Sequence, residues 1–161
     1  MSRPAHLTAQ DKMARPSSRP CVLVAIDNSE PANRALEAAA LLAKQSNAEL
    51  IIVNAEQGYL DANLDLYREA ENATAGEILE QHSMEILSRA EVKAQQMGVA
   101  RVRTESGLGD AAGFITSVAE RDRVDTIVVG RRGRSRVAGL LIGSVSQRLA
   151  AAAPCKVLIV P

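Results

Sequence analysis

The sequence predicts a three-layer α/β sandwich, a parallel β-sheet with helices on both faces, and three observations carry that prediction. Short continuous runs of branched aliphatic residues, CVLVAI (21–26), LIIV (50–53), TIVV (126–129) and VLIV (157–160), have the composition of strands covered on both faces. Between them lie stretches in which apolar residues return every three or four positions, as on one face of a helix. The two patterns alternate along the chain, and right-handed crossovers then place helices on both sides of one parallel sheet.

The first run, Cys21 to Ile26, stops at Asp27, where Asn28, Ser29 and Pro31 signal the start of a helix. Leu36, Ala39, Ala40 and Ala43 give that helix its buried stripe. Leu50 to Val53 is the second strand, ending near Asn54 and Ala55. From Glu56 to Thr74 no period is legible, which predicts an excursion with at most one short helix. Leu79, Ile86, Leu87, Ala90, Ala94 and Met97 mark a long helix over residues 76–97, stopped by Gly98. Val99 to Glu105 reads differently, because Val102 and Thr104 alternate with Arg101, Arg103 and Glu105, the pattern of a strand at a sheet edge. Asp110 is placed to cap a helix carrying Phe114, Ile115, Val118 and Ala119. After the strand Thr126 to Val129, a loop leads to a last helix from Ser144 to Ala153, ended by Pro154, and Val157 to Val160 forms the fifth strand.

A chain of 161 residues is the size of one domain. Residues 1–20, rich in Pro, Ser and Arg, cannot bury enough surface to offset their ordering entropy and are expected as a disordered tail, leaving residues 21–161 as the domain. Lys plus Arg equals Asp plus Glu at 19 each, and aromatic residues are 2% of the chain, so neither charge nor base stacking argues for nucleic acid. No apolar run is long enough to span a bilayer and no signal-type stretch opens the chain, so a cytoplasmic protein without membrane insertion is expected. Cys21 and Cys155 are too few for a disulfide framework and read as small buried hydrophobes. No metal-ligand spacing exists among the histidines, and no catalytic residue is assigned.

The most informative stretch is GRRGRSRVAGLLIGSVS (130–146). Gly130 and Gly133 directly follow a buried strand, and Gly143 with Ser144 opens a helix. Glycines let a backbone approach phosphate oxygens without a Cβ in the way, and a helix start offers free amides and a favourable dipole. Such a cradle can grip a triphosphate without a P-loop lysine; plain turn chemistry is the alternative. The Walker pattern G-x-x-x-x-G-K-[S/T] is absent, and Gly107, Gly109 and Ala112, which superficially fit a dinucleotide fingerprint, follow an exposed strand and read as turn and helix start. Arg131, Arg132, Arg134 and Arg136 put four guanidiniums beside the glycines, either as phosphate contacts or as a solvated loop.

These residues resemble the universal stress protein family, small α/β proteins related to nucleotide-binding α-hydrolase folds. The pattern G, two residues, G, nine residues, G and S or T is met by Gly130, Gly133, Gly143 and Ser144, with support from VAIDNSE, DTIVVGRRG and PCKVLIVP. The resemblance implies ATP as ligand, with or without Mg2+, and a strand order 3-2-1-4-5 that puts the topological reversal between strands one and four. It implies that Asp27 is held against the nucleoside, with Ala25 and Ile26 lining the same pocket and the backbone of Ala55 contacting adenine. It assigns the phosphates to Gly130, Arg132, Gly133, Gly143, Ser144, Val145 and Ser146, with Asp27 and Gly130 facing each other across one crevice. Asn28 stands where the family often has Gly, a mild departure.

Under that strand order the apolar fifth strand sits at an edge, which calls for a cover. The resemblance implies a homodimer through the last strand, Val157, Leu158, Ile159 and Val160. Cys21 and Cys155 would begin strands separated by a third, about two spacings of ~4.8 Å, too far for a disulfide. The expected function is an ATP-binding regulatory stress protein whose occupancy is read by a protein partner. The alternatives are a slow ATPase or phosphotransfer enzyme using the same pocket, for which the sequence shows no base, or a dimeric interaction module that binds no nucleotide.

Overall fold

The computed structural model describes residues 19–56, 75–133 and 141–161. The excursion over 57–74, the tail to Ser18, and Arg134 and Arg136 lie outside the described residues. The described chain runs β1 (Cys21–Ala25), α1 (Glu30–Ser46), β2 (Glu49–Glu56), α2 (Ala75–Gln96), β3 (Val102–Leu108), α3 (Ala111–Arg121), β4 (Thr126–Gly130), α4 (Ser144–Ala152) and β5 (Lys156–Val160). Neighbouring strands pair in parallel in the order β3-β2-β1-β4-β5, so the chain reverses its direction of travel across the sheet between β1 and β4.

Alternation along β1 divides the core. Val22, Val24 and Ile26 pack with α1 and α2 against Leu36, Ala39, Ile86 and Leu87. Cys21, Leu23 and Ala25 face the other way, into a layer closed by Ile115 and Val118 of α3 and Leu149 of α4. Leu23, Ile51, Ile52 and Ile127 have no exposed surface, and burial of each such side chain contributes about 1.5–3 kcal/mol. The buried face of α1 is largely alanine, Ala32, Ala35, Ala39, Ala40 and Ala43, which brings the helix close to the sheet.

Local signals act as their chemistry dictates. Ser29 caps α1 by accepting the Ala32 N–H at 3.3 Å, and Asp110 caps α3 by accepting the Gly113 N–H at 3.2 Å. Gly98 ends the turn after α2 at φ +92°, where a Cβ would be strained. Asn28 is also left-handed, at φ 66°, a conformation that Asn adopts more readily than most non-glycine residues.

The third strand begins and ends three residues later than its pattern predicts. Val99 is drawn out of it because its N–H closes onto the Ala94 carbonyl and its side chain is buried behind α2. Gly107 belongs to β3, opposite Ala55, and Gly109 alone makes the turn, at φ +96°. β2 extends past Val53 to Glu56 through a buried Asn54. Both cysteines are free; burial pushes the Cys21 thiol up to about 11, and Cys155 is raised for the same reason.

The sheet's edges differ. β3 is covered by ion pairs: Arg121 is bidentate to Glu105 at 3.0 and 2.6 Å, and Arg103 reaches Asp122 at 3.0 Å and Glu49 at 3.6 Å. β5 carries only aliphatic side chains after Lys156, with Leu158 42% exposed.

Candidate functional site

The carboxyl ends of β1 and β4 lie side by side at the topological reversal, the position at which open α/β sheets bind ligands. On the β1 side, Asp27 is half-buried, and its Oδ1 accepts the Ser29 N–H at 3.0 Å. Part of this carboxylate therefore holds the start of α1. The other oxygen faces the glycine turn: a Cβ placed on Gly133 would come within 2.5 Å of Asp27 Oδ2. The pair that meets across the crevice is thus Asp27 with Gly133.

Gly130 has a different partner. A Cβ there would stand 2.8 Å from the Pro31 carbonyl carbon and 3.0 Å from the Ala32 nitrogen, so glycine is required for the first turn of α1 to approach β4. Gly143 lies on the turn itself, donating its N–H to the Arg131 carbonyl at 2.8 Å, and a Cβ on it would be 3.3 Å from the Arg132 Cα. Gly143 is also the N-cap of α4, with no side-chain cap hydrogen bond among the described residues. The first turn of α4 is therefore brought over residues 131–133 with its N-terminal positive potential uncapped by a side chain.

The four side chains assigned to the phosphates do not all point the same way. Ser144 is exposed at the head of α4, whereas Val145 packs into the α3–α4 core layer and can offer only its backbone. Ser146 is buried and donates its hydroxyl to the Gly130 carbonyl at 2.7 Å, with the Arg131 carbonyl at 3.3 Å, so it clamps the turn. Arg132 is half-buried, and its Nε, out of solvent, finds no hydrogen-bond partner among the described residues. A buried guanidinium donor without an acceptor is suited to an anion.

Ala25 and Ile26 are neighbours whose side chains go to opposite faces of the sheet, Ala25 with the α3–α4 layer and Ile26 with the α1–α2 layer. Ala55 is half-buried near the end of β2, one strand away from Asp27. Between them is a feature that sequence reasoning missed: Asn54, with no exposed surface, donates Nδ2 to the Ile26 carbonyl at 2.8 Å and accepts from the Ser83 hydroxyl at 2.6 Å. The same end of the sheet also has a cavity of about 150 Å³ on the α1–α2 face, lined by Ile26, Asn28, Leu36, Ile86, Arg89 and Lys93, away from the glycine turn. Among the described residues no group of three His, Cys, Asp or Glu side chains is placed to hold a metal ion.

The sequence profile of the Universal stress protein family matches residues 21–161, the whole of this sheet and its helices. The chain belongs to the universal stress protein family. Universal stress protein YxiE of Bacillus subtilis is 35% identical over 144 residues, covering 86% of this chain and 97% of that one. A universal stress protein whose crystal structure was solved in complex with cAMP is 28% identical, with a TM-score of 0.69 and coverage of 90% and 99%. Universal stress protein UspA from Lactobacillus plantarum shares the fold at a TM-score of 0.74 and 20% identity, over 91% of this chain and all of that one.

Proposed function

We propose that this universal stress protein is a regulatory nucleotide-binding protein that takes ATP in the crevice between β1 and β4. The observation that carries the proposal is the approach of Asp27 and Gly133 to within the space of one Cβ, with Gly143 and the side-chain-uncapped start of α4 stacked on the same turn. The β4 side offers backbone amides, the helix dipole and the orphaned Arg132 Nε, which fit a chain of phosphates. Gly130, Gly133, Gly143, Ser144 and Arg132 would hold those phosphates, Val145 would contribute its amide and Ser146 would fix the turn. On the β1 side Asp27 would accept from the nucleoside, with the backbones of Ala25, Ile26 and Ala55 beside it. A divalent ion such as Mg2+ would travel with the phosphates, with Asp27 as its nearby carboxylate. The relative solved with cAMP, at 28% identity, supports an adenine nucleotide as the ligand class.

Purified protein, denatured and analysed by mass spectrometry, is expected to release an adenine nucleotide, and ATP with magnesium is expected to raise the Tm of the emptied protein. Absence of both effects overturns the proposal in favour of an interaction module.

The proposal extends to a cytoplasmic homodimer read by a protein partner. No helix among the described residues is long and apolar enough to cross a membrane. Among the described residues the β5 edge, Val157, Leu158, Ile159 and Val160, has none of the ion pairs that cover β3, and a second copy would bury it. Leu158→Glu should convert a dimer to a monomer in sedimentation equilibrium; a Leu158→Glu protein that still sediments as a dimer removes β5 as the interface.

A further inference from the structure

The ladder between β1 and β2 stops in an unusual way. The register pairs Ala25 with Val53, and the Ile26 N–H makes one more rung to the Val53 carbonyl at 2.9 Å. In a parallel ladder the next rung would carry the Ala55 N–H to the Ile26 carbonyl. Among the described residues that rung is absent, because the Ile26 carbonyl accepts from the Asn54 side chain instead. Residues of β2 also alternate in the direction of their backbone groups. Leu50 donates its N–H to Arg101 beside β3, so the even-numbered residues face β3 and Ala55, an odd one, faces β1.

We propose that Asn54 and Ser83 are a positioning pair whose carboxamide takes over the Ile26 carbonyl and leaves the Ala55 N–H turned toward the crevice as the donor that selects an acceptor nitrogen of a purine base. The inference rests on the nucleotide reading above and deepens it by naming what makes the base-contacting backbone available. Asn54 is suited to this task because its carboxamide is held at both ends. Nδ2 is spent on Ile26, Oδ1 receives the hydroxyl of Ser83 from α2, and both residues are at least 99% buried. A carboxamide without Ser83 would be free to rotate and release the carbonyl; the hydroxyl at 2.6 Å fixes its orientation. The same peptide leads directly into Asp27, so the pair also sets where that carboxylate begins. The distance along the chain between Asn54 and Ser83 makes this an arrangement of the folded state.

The test uses the full chain, emptied of nucleotide, with ATP and inorganic tripolyphosphate as probes in calorimetric titrations, and amide hydrogen exchange read residue by residue. The wild type is titrated first: failure to bind ATP overturns the nucleotide reading before any variant is made. With binding established, the double variant Asn54→Leu/Ser83→Ala replaces both partners by apolar groups and leaves no buried carboxamide unsatisfied. It is expected to bind ATP about ten-fold more weakly, the worth of one hydrogen bond, with tripolyphosphate affinity unchanged. Its Ala55 amide is expected to be protected from exchange without ligand, because it closes the rung to Ile26. In the wild type that protection is expected only with ATP. Ser83→Thr, which keeps the hydroxyl, should restore the wild-type pattern to the Ser83→Ala single variant. Equal weakening of ATP and tripolyphosphate, or an Ala55 amide with the same exchange rate in wild type and double variant, overturns the inference while leaving the nucleotide reading intact. Should the double variant not fold, the Ser83→Ala and Ser83→Thr pair makes the same comparison.

Discussion

The two walls of the crevice are built from different materials. The β4 wall is mainly backbone: Gly130, Gly133 and Gly143 are defined by the Cβ atoms they lack, and Ser146 clamps it by donating its hydroxyl to a main-chain carbonyl. The β1–β2 wall is a relay of side chains, in which Asp27 grips Ser29 and Asn54 joins Ile26 to Ser83. A wall made of backbone is sensitive to anything added, and a wall made of side-chain hydrogen bonds is sensitive to anything removed. The first suits a ligand part recognised by charge and shape, the second a part recognised by a pattern of donors and acceptors.

The largest expected effect breaks the β4 wall where it faces the ligand. Gly133→Val would push a side chain onto Asp27 Oδ2 and fill the crevice, and ATP affinity should fall by about 100-fold or more in calorimetric titration. Because Gly133 is exposed, thermal unfolding of that variant should be close to wild type. Gly130→Val sharpens the contrast within the same wall. Its Cβ would meet the backbone of Pro31 and Ala32, so it should cost about 1–3 kcal/mol of stability, read as a lowered denaturation midpoint whether or not nucleotide is present. Ser146→Ala removes the clamp on the turn and should cost about 1 kcal/mol, or about 2–4 °C in Tm.

The smallest effect lies outside both walls, at the support of α4. Arg148 bonds Asp110, the cap of α3, with 2.8 Å between Nη2 and Oδ2, and this bond holds the Asp110 carboxyl below its usual range. A carboxylate whose folded pKa is depressed contributes stability that is present above about pH 4, its unfolded value, and is lost as pH falls through the lower folded one. Arg148→Met should therefore lower Tm slightly near neutrality, with the two proteins converging in acid; the pair is exposed and the difference is the least of the series. A gap that widens toward low pH would contradict the assignment.

The same contrast explains what the sequence made legible. The apolar runs of β1, β2 and β4 announce themselves because both faces of a central parallel strand are buried, β5 is as apolar but half-exposed at the edge, and the glycine wall is visible because a missing side chain at fixed spacing is a local signal. Asn54 was not legible. A polar residue after LIIV reads as the end of a strand, and only the fold brings Ser83 to it from α2. Spacing also could not say which glycine serves what: Gly130 answers to α1 and Gly133 to Asp27, although the motif presents them alike. Ser146 shows the same limit, since a hydroxyl at a helix start is equally fit to meet a phosphate or to tie down the turn beneath it. For β3, the apolar Val99 pulled the predicted start forward, when its burial belongs to the closure of α2.

The most direct measurement is a crystal structure of the protein grown with ATP and magnesium. The expected result is phosphates within hydrogen-bond reach of the amides of residues 132–133 and 144–145, Asp27 against the nucleoside, and a base nitrogen accepting from the Ala55 N–H. Triphosphate density at any other place on the molecule, with the turn around Gly133 closed against Asp27 and vacant, would contradict the central claim.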